Sequence, residues 1–271
     1  MSGPFVPTAG ATLLAMIGSP IAHAHLPATF NRRFAEEGID AVMAPFDVEP
    51  AALAAFFEAL RGWTNCRGCV VTAPHKVAAA GLVDVVSNRA RQVGAVNVVI
   101  READGRLVGD NVDGSGFVAG MRCSGVDPAG LRTIVFGCGG AGAAIALALA
   151  EAAAGSIHLV DPDAGRVQRL YDGLATHRGV AVITGAPDSL AGYDVVINAT
   201  GIGLDGKSLV YPLDTVRSDA LVADVLSMPG HTPWLRAAQA RGCRIQSGSA
   251  MAEGQFAPIA ERFGLELDLR R

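Results

Sequence analysis

The chain has little charge, few aromatic residues and no strongly charged segment. Only 18% of its 271 residues are charged, 6% are aromatic, and the formal net charge is −4. A weakly acidic chain of this kind offers no electrostatic case for nucleic acid binding. No apolar run reaches the roughly 18 residues of a membrane span. The N-terminus lacks a basic region followed by an apolar core, so we expect no secretory signal and a soluble cytoplasmic protein.

Cysteine is also scarce, and its pattern argues against both disulfides and metal binding. The five cysteines are Cys66, Cys69, Cys123, Cys138 and Cys243. An odd number without a secretory signal does not suggest a disulfide framework. Cys66 and Cys69 form a CxxC pair, but no second ligand pair stands at a suitable spacing, so we predict no metal site. We interpret them as a loop thiol and a buried strand thiol, because free cysteine packs as a small hydrophobic residue.

The pattern of apolar residues predicts an α/β fold with two domains. Half of the residues are hydrophobic, which is enough for one large or two modest cores. The first unit begins in a β-α-β-α-β order, with a helix over Leu26–Glu37 and a hairpin at Asp104-Gly105. A second unit starts after Gly114, and helices between its strands imply a parallel sheet with right-handed crossovers. Its buried strands are predicted at residues 134–136, 157–160, 195–198 and 221–225. A last helix near residues 250–263 is expected to pack on the first domain.

One glycine cluster predicts a nucleotide cofactor. Gly137, Gly139 and Gly142 form a G-x-G-x-x-G pattern between a strand and an alanine-rich helix, which is the context that a dinucleotide fingerprint requires. Such glycines allow a tight turn, close approach of the pyrophosphate and close helix packing. Asp161 ends the next strand, where a carboxylate would bind the ribose hydroxyls of NAD and repel the 2′-phosphate of NADP. We therefore predict NAD, with NADP possible; the alternative is a tight turn without a ligand.

A lysine and an aspartate in separate segments indicate proton transfer. Lys76 stands at the predicted start of a helix, and Asp113 lies in the segment 109–114. The lysine could shuttle a proton, and the aspartate could orient its ammonium or share the proton. Asn97 and Asn111 are uncharged groups suited to substrate hydroxyls. Together with the glycine loop, the pair indicates redox chemistry at a carbon bearing a hydroxyl group. Surface exposure of the lysine and turn formation by the others are the structural alternatives.

Motifs along nearly the whole chain resemble those of the shikimate dehydrogenase family. They are Gly18-Ser19-Pro20-Ile21-Ala22-His23, Pro74-His75-Lys76, Gly94-Ala95-Val96-Asn97, Asn111-Val112-Asp113-Gly114, Gly137 to Ala141, Asn198 to Gly203 and, near the C-terminus, Asp224, Pro229, Thr232-Pro233 and Met251 to Gln255. They stand in the order of the family, which makes the resemblance more specific than any single motif.

The resemblance implies a domain plan and a reaction. A substrate-binding and catalytic domain would comprise residues 1–113 and 245–271, and a Rossmann domain residues 114–244. Lys76 and Asp113 would form a catalytic dyad, while a nicotinamide cofactor exchanges hydride with C3 of a cyclohexene acid. The substrate is a small molecule, and the chain would act as a monomer or homodimer. The implied substrate-binding residues are Thr72, Asn97 and Gln255. The implied cofactor-binding residues are Gly137, Gly139, Gly140, Ala141, Gly142, Asp161, Asn198, Thr200 and Gly201.

The sequence departs from the family pattern at the substrate carboxylate and at the cofactor. The family's Ser-x-Ser is replaced by Ala24 and Leu26, with His25 between them as a possible carboxylate partner. Losing two hydrogen bonds to a carboxylate costs roughly 1.5–3 kcal/mol each. The family's Asn-Arg-Thr for NADP is replaced by residues 161–163, Asp-Pro-Asp, and a common tyrosine by Ser227.

Three functions follow from this mixture of kept and altered motifs. The first is reversible reduction of a 3-dehydroshikimate or 3-dehydroquinate type of keto acid. The second is dehydrogenation of a different, uncharged cyclic polyol, which the apolar Leu26 would suit. The third is a non-catalytic nucleotide-binding homologue, which the missing serines favour and the retained dyad opposes.

Overall fold

The structure is a computed structural model, and it describes residues 6–22, 24–177, 179–226, 228 and 230–266. The chain forms two compact units, Met1–Val112 with Phe256–Arg271, and Asp113–Gln255. Three residues considered above, His23, Ser227 and Pro229, lie outside the described residues. No helix in the described part of the chain has the length and apolar character of a membrane span.

The first unit is a mixed sheet with helices packed against it. Its described elements in chain order are β1 (Thr12–Gly18), α1 (Leu26–Glu37), β2 (Ala41–Asp47), α2 (Leu53–Gly62), β3 (Cys66–Val71), α3 (Lys76–Ala79), β4 (Val85–Val86), α4 (Asn88–Val93), β5 (Val98–Arg101), β6 (Leu107–Asp110) and α10 (Phe256–Arg262). The strand order is β2-β1-β3-β5-β6-β4. β1 is parallel to β2 and β3, whereas β5 is antiparallel to β3 and β6.

Local signals account for α1 and for the β5–β6 hairpin, and both predictions are confirmed. α1 ends at Gly38, whose φ of 67° provides the left-handed cap that glycine adopts without strain. Its buried face contributes Phe30 and Phe34 to the core. β5 and β6 pair with Ile100 opposite Val108, as the turn residues between them predict.

The two cysteines of the CxxC pair are both buried in β3, so the prediction of a loop thiol at Cys66 is wrong. Cys66 pairs with Leu13 and Cys69 with Ala15, which means that β3 contains one extra residue at this point. This bulge includes Gly68 at a φ of 141° and places both thiols in the same hydrophobic core. Burial raises the pKa of each thiol, which keeps both protonated at neutral pH.

The second unit is a parallel sheet of the Rossmann type, as predicted. Its described elements are α5 (Asp113–Cys123), β7 (Arg132–Phe136), α6 (Gly140–Glu151), β8 (Ser156–Val160), α7 (Ala164–Leu174), β9 (Ala181–Thr184), β10 (Val195–Asn198), β11 (Leu221–Asp224), α8 (Pro233–Ala240), β12 (Arg244–Gln246) and α9 (Gly248–Gly254). The strand order is β12-β11-β10-β7-β8-β9. The chain adds strands in one direction from β7 to β9 and in the opposite direction from β10 to β12, so the strand order reverses between β7 and β10. Ligands of such sheets bind at the carboxyl ends of the strands flanking this point.

Asp113 and residues 245–255 lie in the second unit, whereas the domain plan that the resemblance implies placed them in the first domain. β12 extends the parallel sheet beside β11, with Ile245 opposite Val222, and α9 packs on α5. The single helix expected near residues 250–263 is therefore two helices. Only α10 joins the first unit, where Ile259 and Phe263 belong to the core that also contains Phe30.

Candidate active site

The glycine loop between β7 and α6 combines a tight turn with open space. Gly137 has a φ of 96°, and a Cβ there would lie 2.8 Å from the Ala199 carbonyl oxygen. A Cβ on Gly142 would lie 1.8 Å from the Gly137 carbonyl oxygen, so α6 can approach β7 this closely only at a glycine. At Gly139, by contrast, no described atom lies within 4 Å of a Cβ position. The loop therefore leaves room where a phosphate could approach the backbone.

The first turn of α6 completes this cradle. It consists of Gly140, Ala141 and Gly142, and Gly139 is its N-cap residue. The N–H groups of a first turn have no acceptor within their helix, and the positive end of the helix dipole favours an anion. The residues predicted to hold the dinucleotide phosphates thus fit that group.

Asp161 is hydrogen-bonded to the glycine loop. Its Oδ2 accepts a hydrogen bond of 2.7 Å from the Cys138 N–H, and its Oδ1 accepts one of 2.8 Å from the Asp163 N–H. Each carboxylate oxygen has a further lone pair with which it can accept a ribose hydroxyl. Burial, reinforced by the Asp161 charge, raises the pKa of the Cys138 thiol to about 12. The Cys138 thiol is therefore neutral at physiological pH.

Asn198 organises the turn that follows β10. Its Oδ1 accepts hydrogen bonds from the Thr200 N–H, at 2.9 Å, and from the Thr200 hydroxyl, at 2.7 Å. Its Nδ2 donates to Asp224 Oδ1 at 3.2 Å, and the other oxygen of Asp224 accepts from the Thr232 hydroxyl at 2.8 Å. Burial raises the pKa of the Asp224 carboxyl. The side chains of Asn198 and Thr200 thus shape the backbone around Gly201. The sequence indicated Asp224 and Thr232 only as parts of family motifs.

In the first unit, three predicted site residues lie at the edge of the sheet where β3 ends and β5 begins. Thr72 follows β3, and its N–H donates to the Ile17 carbonyl at 2.9 Å. Lys76 begins α3, as predicted, and its carbonyl accepts the Val96 N–H at 2.9 Å. Asn97 is buried and immediately precedes β5, which runs antiparallel to β3. The end of β3 and the start of β5 therefore meet at the same edge.

A buried histidine anchors the turn that contains Lys76. His75 is 2% exposed, and its Nε2 lies 2.7 Å from the Val48 carbonyl oxygen. A carbonyl can only accept, so Nε2 donates this hydrogen bond. The sequence indicated His75 only as part of a motif, because no local pattern reveals the carbonyl 27 residues away that it contacts.

Asn97 and Asn111 tie two segments of the first unit together. Asn97 Oδ1 accepts the Val112 N–H at 2.8 Å, and Asn111 Nδ2 donates to the Ala95 carbonyl at 3.1 Å. Both side chains are buried, with exposures of 1% and 0%. The Asn111 amide nitrogen supports the turn before Asn97, and its contact with substrate hydroxyls stays a prediction.

Within the second unit, Asp113 and Gln255 are in direct contact. Asp113 begins α5 and is buried, and its Oδ1 accepts a hydrogen bond of 3.0 Å from Gln255 Nε2. The amide therefore limits how the carboxylate can orient. The resemblance indicated both residues but not their contact across 142 positions of sequence.

The segment expected to bind a substrate carboxylate is largely apolar. Ala24 and Leu26 pack, partly buried, against the hydrophobic core that contains Phe30. His25 is exposed at the start of α1, and its side chain makes no capping hydrogen bond among the described residues. Its role as a carboxylate partner stays a prediction.

Comparison with known proteins identifies the family. Residues 16–99 match the model of the shikimate dehydrogenase substrate binding domain. The shikimate dehydrogenase (NADP(+)) of Rubrobacter xylanophilus is 38% identical over 245 residues, which cover 89% of this chain and 86% of that protein. The chain belongs to the shikimate dehydrogenase family. It is therefore an NAD(P)-dependent oxidoreductase of the shikimate/quinate dehydrogenase type.

Two solved structures extend the comparison. Shikimate 5-dehydrogenase from Listeria monocytogenes, in complex with shikimate and NAD, is 27% identical, with a TM-score of 0.85 and coverage of 96% of this chain and 94% of that chain. The 5-ketofructose reductase of Gluconobacter sp. strain CHM43, in its ligand-free form, is 32% identical, with a TM-score of 0.84 and 95% coverage of both chains.

A Cβ in the open part of the glycine loop is expected to weaken cofactor binding without loss of stability. Gly139→Ala should raise the Kd for NADH at least about tenfold, because the methyl group occupies space that the pyrophosphate needs. The control is Gly142→Ala, whose Cβ would meet a carbonyl oxygen and should lower Tm by several degrees. Fluorescence titration and thermal unfolding measure the two effects. Wild-type NADH affinity in Gly139→Ala would contradict the assignment of the cradle.

Proposed function

We propose that the protein catalyses the reversible NAD(P)-dependent reduction of a cyclic keto acid, of the 3-dehydroshikimate or 3-dehydroquinate type, to the alcohol. The observation that carries this proposal is the set of Thr72, Lys76 and Asn97 at one edge of the first sheet, in a chain of this family. The names of the relatives, which include shikimate dehydrogenases, support the substrate class.

In the proposed reaction, the bound nicotinamide supplies the hydride that reduces the carbonyl carbon. The Lys76 ammonium donates a proton to the carbonyl oxygen, which becomes the product hydroxyl. Asp113 is the second member of the dyad and orients the reacting groups, and Gln255 holds one of its oxygens. Thr72, Asn97 and Gln255 bind substrate hydroxyls. In the reverse direction Lys76 accepts the proton of the alcohol.

Removal of Lys76, the proposed general acid, is expected to abolish most turnover. Lys76→Ala should lower kcat by about 10²–10⁴-fold, with a smaller change in substrate affinity, because general acid catalysis is lost. The chain contains one other lysine, Lys207, which lies in an exposed loop, so Lys207→Ala is the matched control. Absorbance of NADH and NADPH at steady state measures both variants. An undiminished kcat in Lys76→Ala would remove this residue from the mechanism.

The geometry around Asp161 supports a preference for NAD. Wild type is expected to bind NADH about tenfold or more tightly than NADPH, because a carboxylate beside the ribose repels the 2′-phosphate. Asp161→Asn should bring the Kd values for NADH and NADPH closer together. Asp163→Asn is the control, since asparagine can replace aspartate as the N-cap of α7. Calorimetric titration with both nucleotides gives the ratios, and tighter binding of NADPH by the wild type would refute the proposed role of Asp161.

A second candidate function is reduction of an uncharged polyhydroxy ketone. Ala24 and Leu26 pack against apolar side chains and offer no hydroxyl to a substrate carboxylate. The similarity to a 5-ketofructose reductase, whose named substrate is a ketose and not a carboxylic acid, supports this alternative.

Introducing serine at the two positions where the family has it distinguishes the keto-acid proposal from the second candidate. In the double variant Ala24→Ser/Leu26→Ser, kcat/KM for shikimate should rise by about 10–100-fold per recovered hydrogen bond. Turnover of uncharged polyols should not rise, and Ala22→Ser, outside the two family positions, should change neither.

The wild-type panel of shikimate, quinate and uncharged polyols decides the substrate class. Turnover of the acids supports the keto-acid proposal, and turnover of the polyols alone supports the second candidate. Nucleotide binding without turnover of any of these compounds would refute both candidate substrate classes.

A further inference from the structure

At Gly116, α5 lies so close to α9 and Gln255 that this position has no room for a side chain. A Cβ on Gly116 would lie 2.3 Å from Gln255 Cγ and 3.0 Å from the Gln255 backbone nitrogen. In the opposite direction, a Cβ on Gly254 would lie 2.1 Å from the Gly116 carbonyl oxygen. Real Cβ atoms do not approach other atoms this closely, so the two glycines set the separation of the helices.

The same close approach determines where the Gln255 side chain runs. Gly116 follows Asp113 by three residues in α5, and residues three apart lie on the same side of a helix. The stem of Gln255 crosses α5 at Gly116, and its amide reaches Asp113, where Nε2 donates to Oδ1 at 3.0 Å. A methyl group at Gly116 would occupy the path of that stem.

We propose that Gly116 is a positioning residue, which acts on Asp113 by holding the Gln255 amide against its carboxylate. The proposal rests on the catalytic role of Asp113 in the proposed function. Gly116 touches neither substrate nor cofactor in this scheme. Because Gly116 has no side chain, the stem of Gln255 can pass it. The Gln255 amide then restrains the Asp113 carboxylate in the orientation that the dyad requires.

Gly120 provides a matched control on the same helix. It lies one turn beyond Gly116 and also faces α9, but its Cβ would meet the Ala250 carbonyl oxygen at 3.0 Å and Gln246 Nε2 at 3.1 Å. Gly120→Ala therefore disturbs the α5–α9 interface without entering the space of Gln255. A loss of activity caused only by strained helix packing would appear in both variants.

The kinetic test is a double-mutant cycle. Gly116→Ala is expected to lower kcat by about tenfold or more, because a small displacement of a catalytic group is costly, while Gly120→Ala keeps kcat near the wild-type value. In a Gln255→Ala background, Gly116→Ala should cause no further loss of kcat, because the residue through which it acts is gone. Wild-type kcat in Gly116→Ala, or an equal loss in both backgrounds, would overturn the proposal.

A second variant covers the case in which Gly116→Ala does not fold. Gln255→Asn shortens the side chain by one methylene and withdraws the amide from Asp113 without adding an atom to the interface. It should lower kcat to the level of Gln255→Ala. If Gln255→Asn instead retains wild-type kcat, the amide does not position the carboxylate and the proposal fails.

A measurement independent of activity separates this proposal from the proposed function. The Gln255 side-chain amide gives a ¹H–¹⁵N signal that can be assigned by its absence in Gln255→Ala. Its hydrogens should exchange slowly with solvent in wild type and in Gly120→Ala, and rapidly in Gly116→Ala. Unchanged exchange in Gly116→Ala overturns the positioning role. Absence of turnover by the wild type on every panel substrate refutes the proposed function alone.

Discussion

In the second unit, α5 lies between α6 and α9 at distances that only glycine permits. A Cβ on Gly114 would lie 1.9 Å from the Ala144 carbonyl oxygen of α6, while Gly116 meets Gln255 on the other side. α6 is in turn held against β7 by Gly142. The positions of the cofactor cradle, the start of α5 and Gln255 therefore depend on one series of close backbone contacts.

Alanine makes this packing possible in α6. Residues 142–150 of the helix are buried, and apart from one glycine, one isoleucine and two leucines they are alanines. Small side chains let neighbouring helices approach from more than one direction, and alanine also has the highest intrinsic helix propensity. An alanine-rich composition thus allows a helix that is buried on nearly every side.

The carboxylates of the candidate site share one arrangement, since each is held by protein donors. Asp161 accepts two backbone N–H groups, Asp113 an amide, and Asp224 an amide and a hydroxyl. Asp110, in the first unit, accepts the Arg262 Nε–H at 2.6 Å and joins α10 to the end of β6. Polar oxygens are costly to bury unless they are hydrogen-bonded, so these donors offset the burial of Asp110, Asp113 and Asp224 and limit how each carboxyl group can orient.

The sequence alone determined the kind and order of most elements, the glycine loop and the loss of the two family serines. These features depend on residue type and short spacing: Gly38 ends α1, Asp104-Gly105 turns the hairpin, and Gly137 needs a positive φ. Only the tertiary structure decided that Cys66 and Cys69 share one core, that the last helix is two helices in different units, and that Gln255 binds Asp113. Each of these depends on a bulge in strand pairing or on contacts between distant residues. Local sequence patterns do not reveal such contacts, because the partner residue comes near only when the chain has folded.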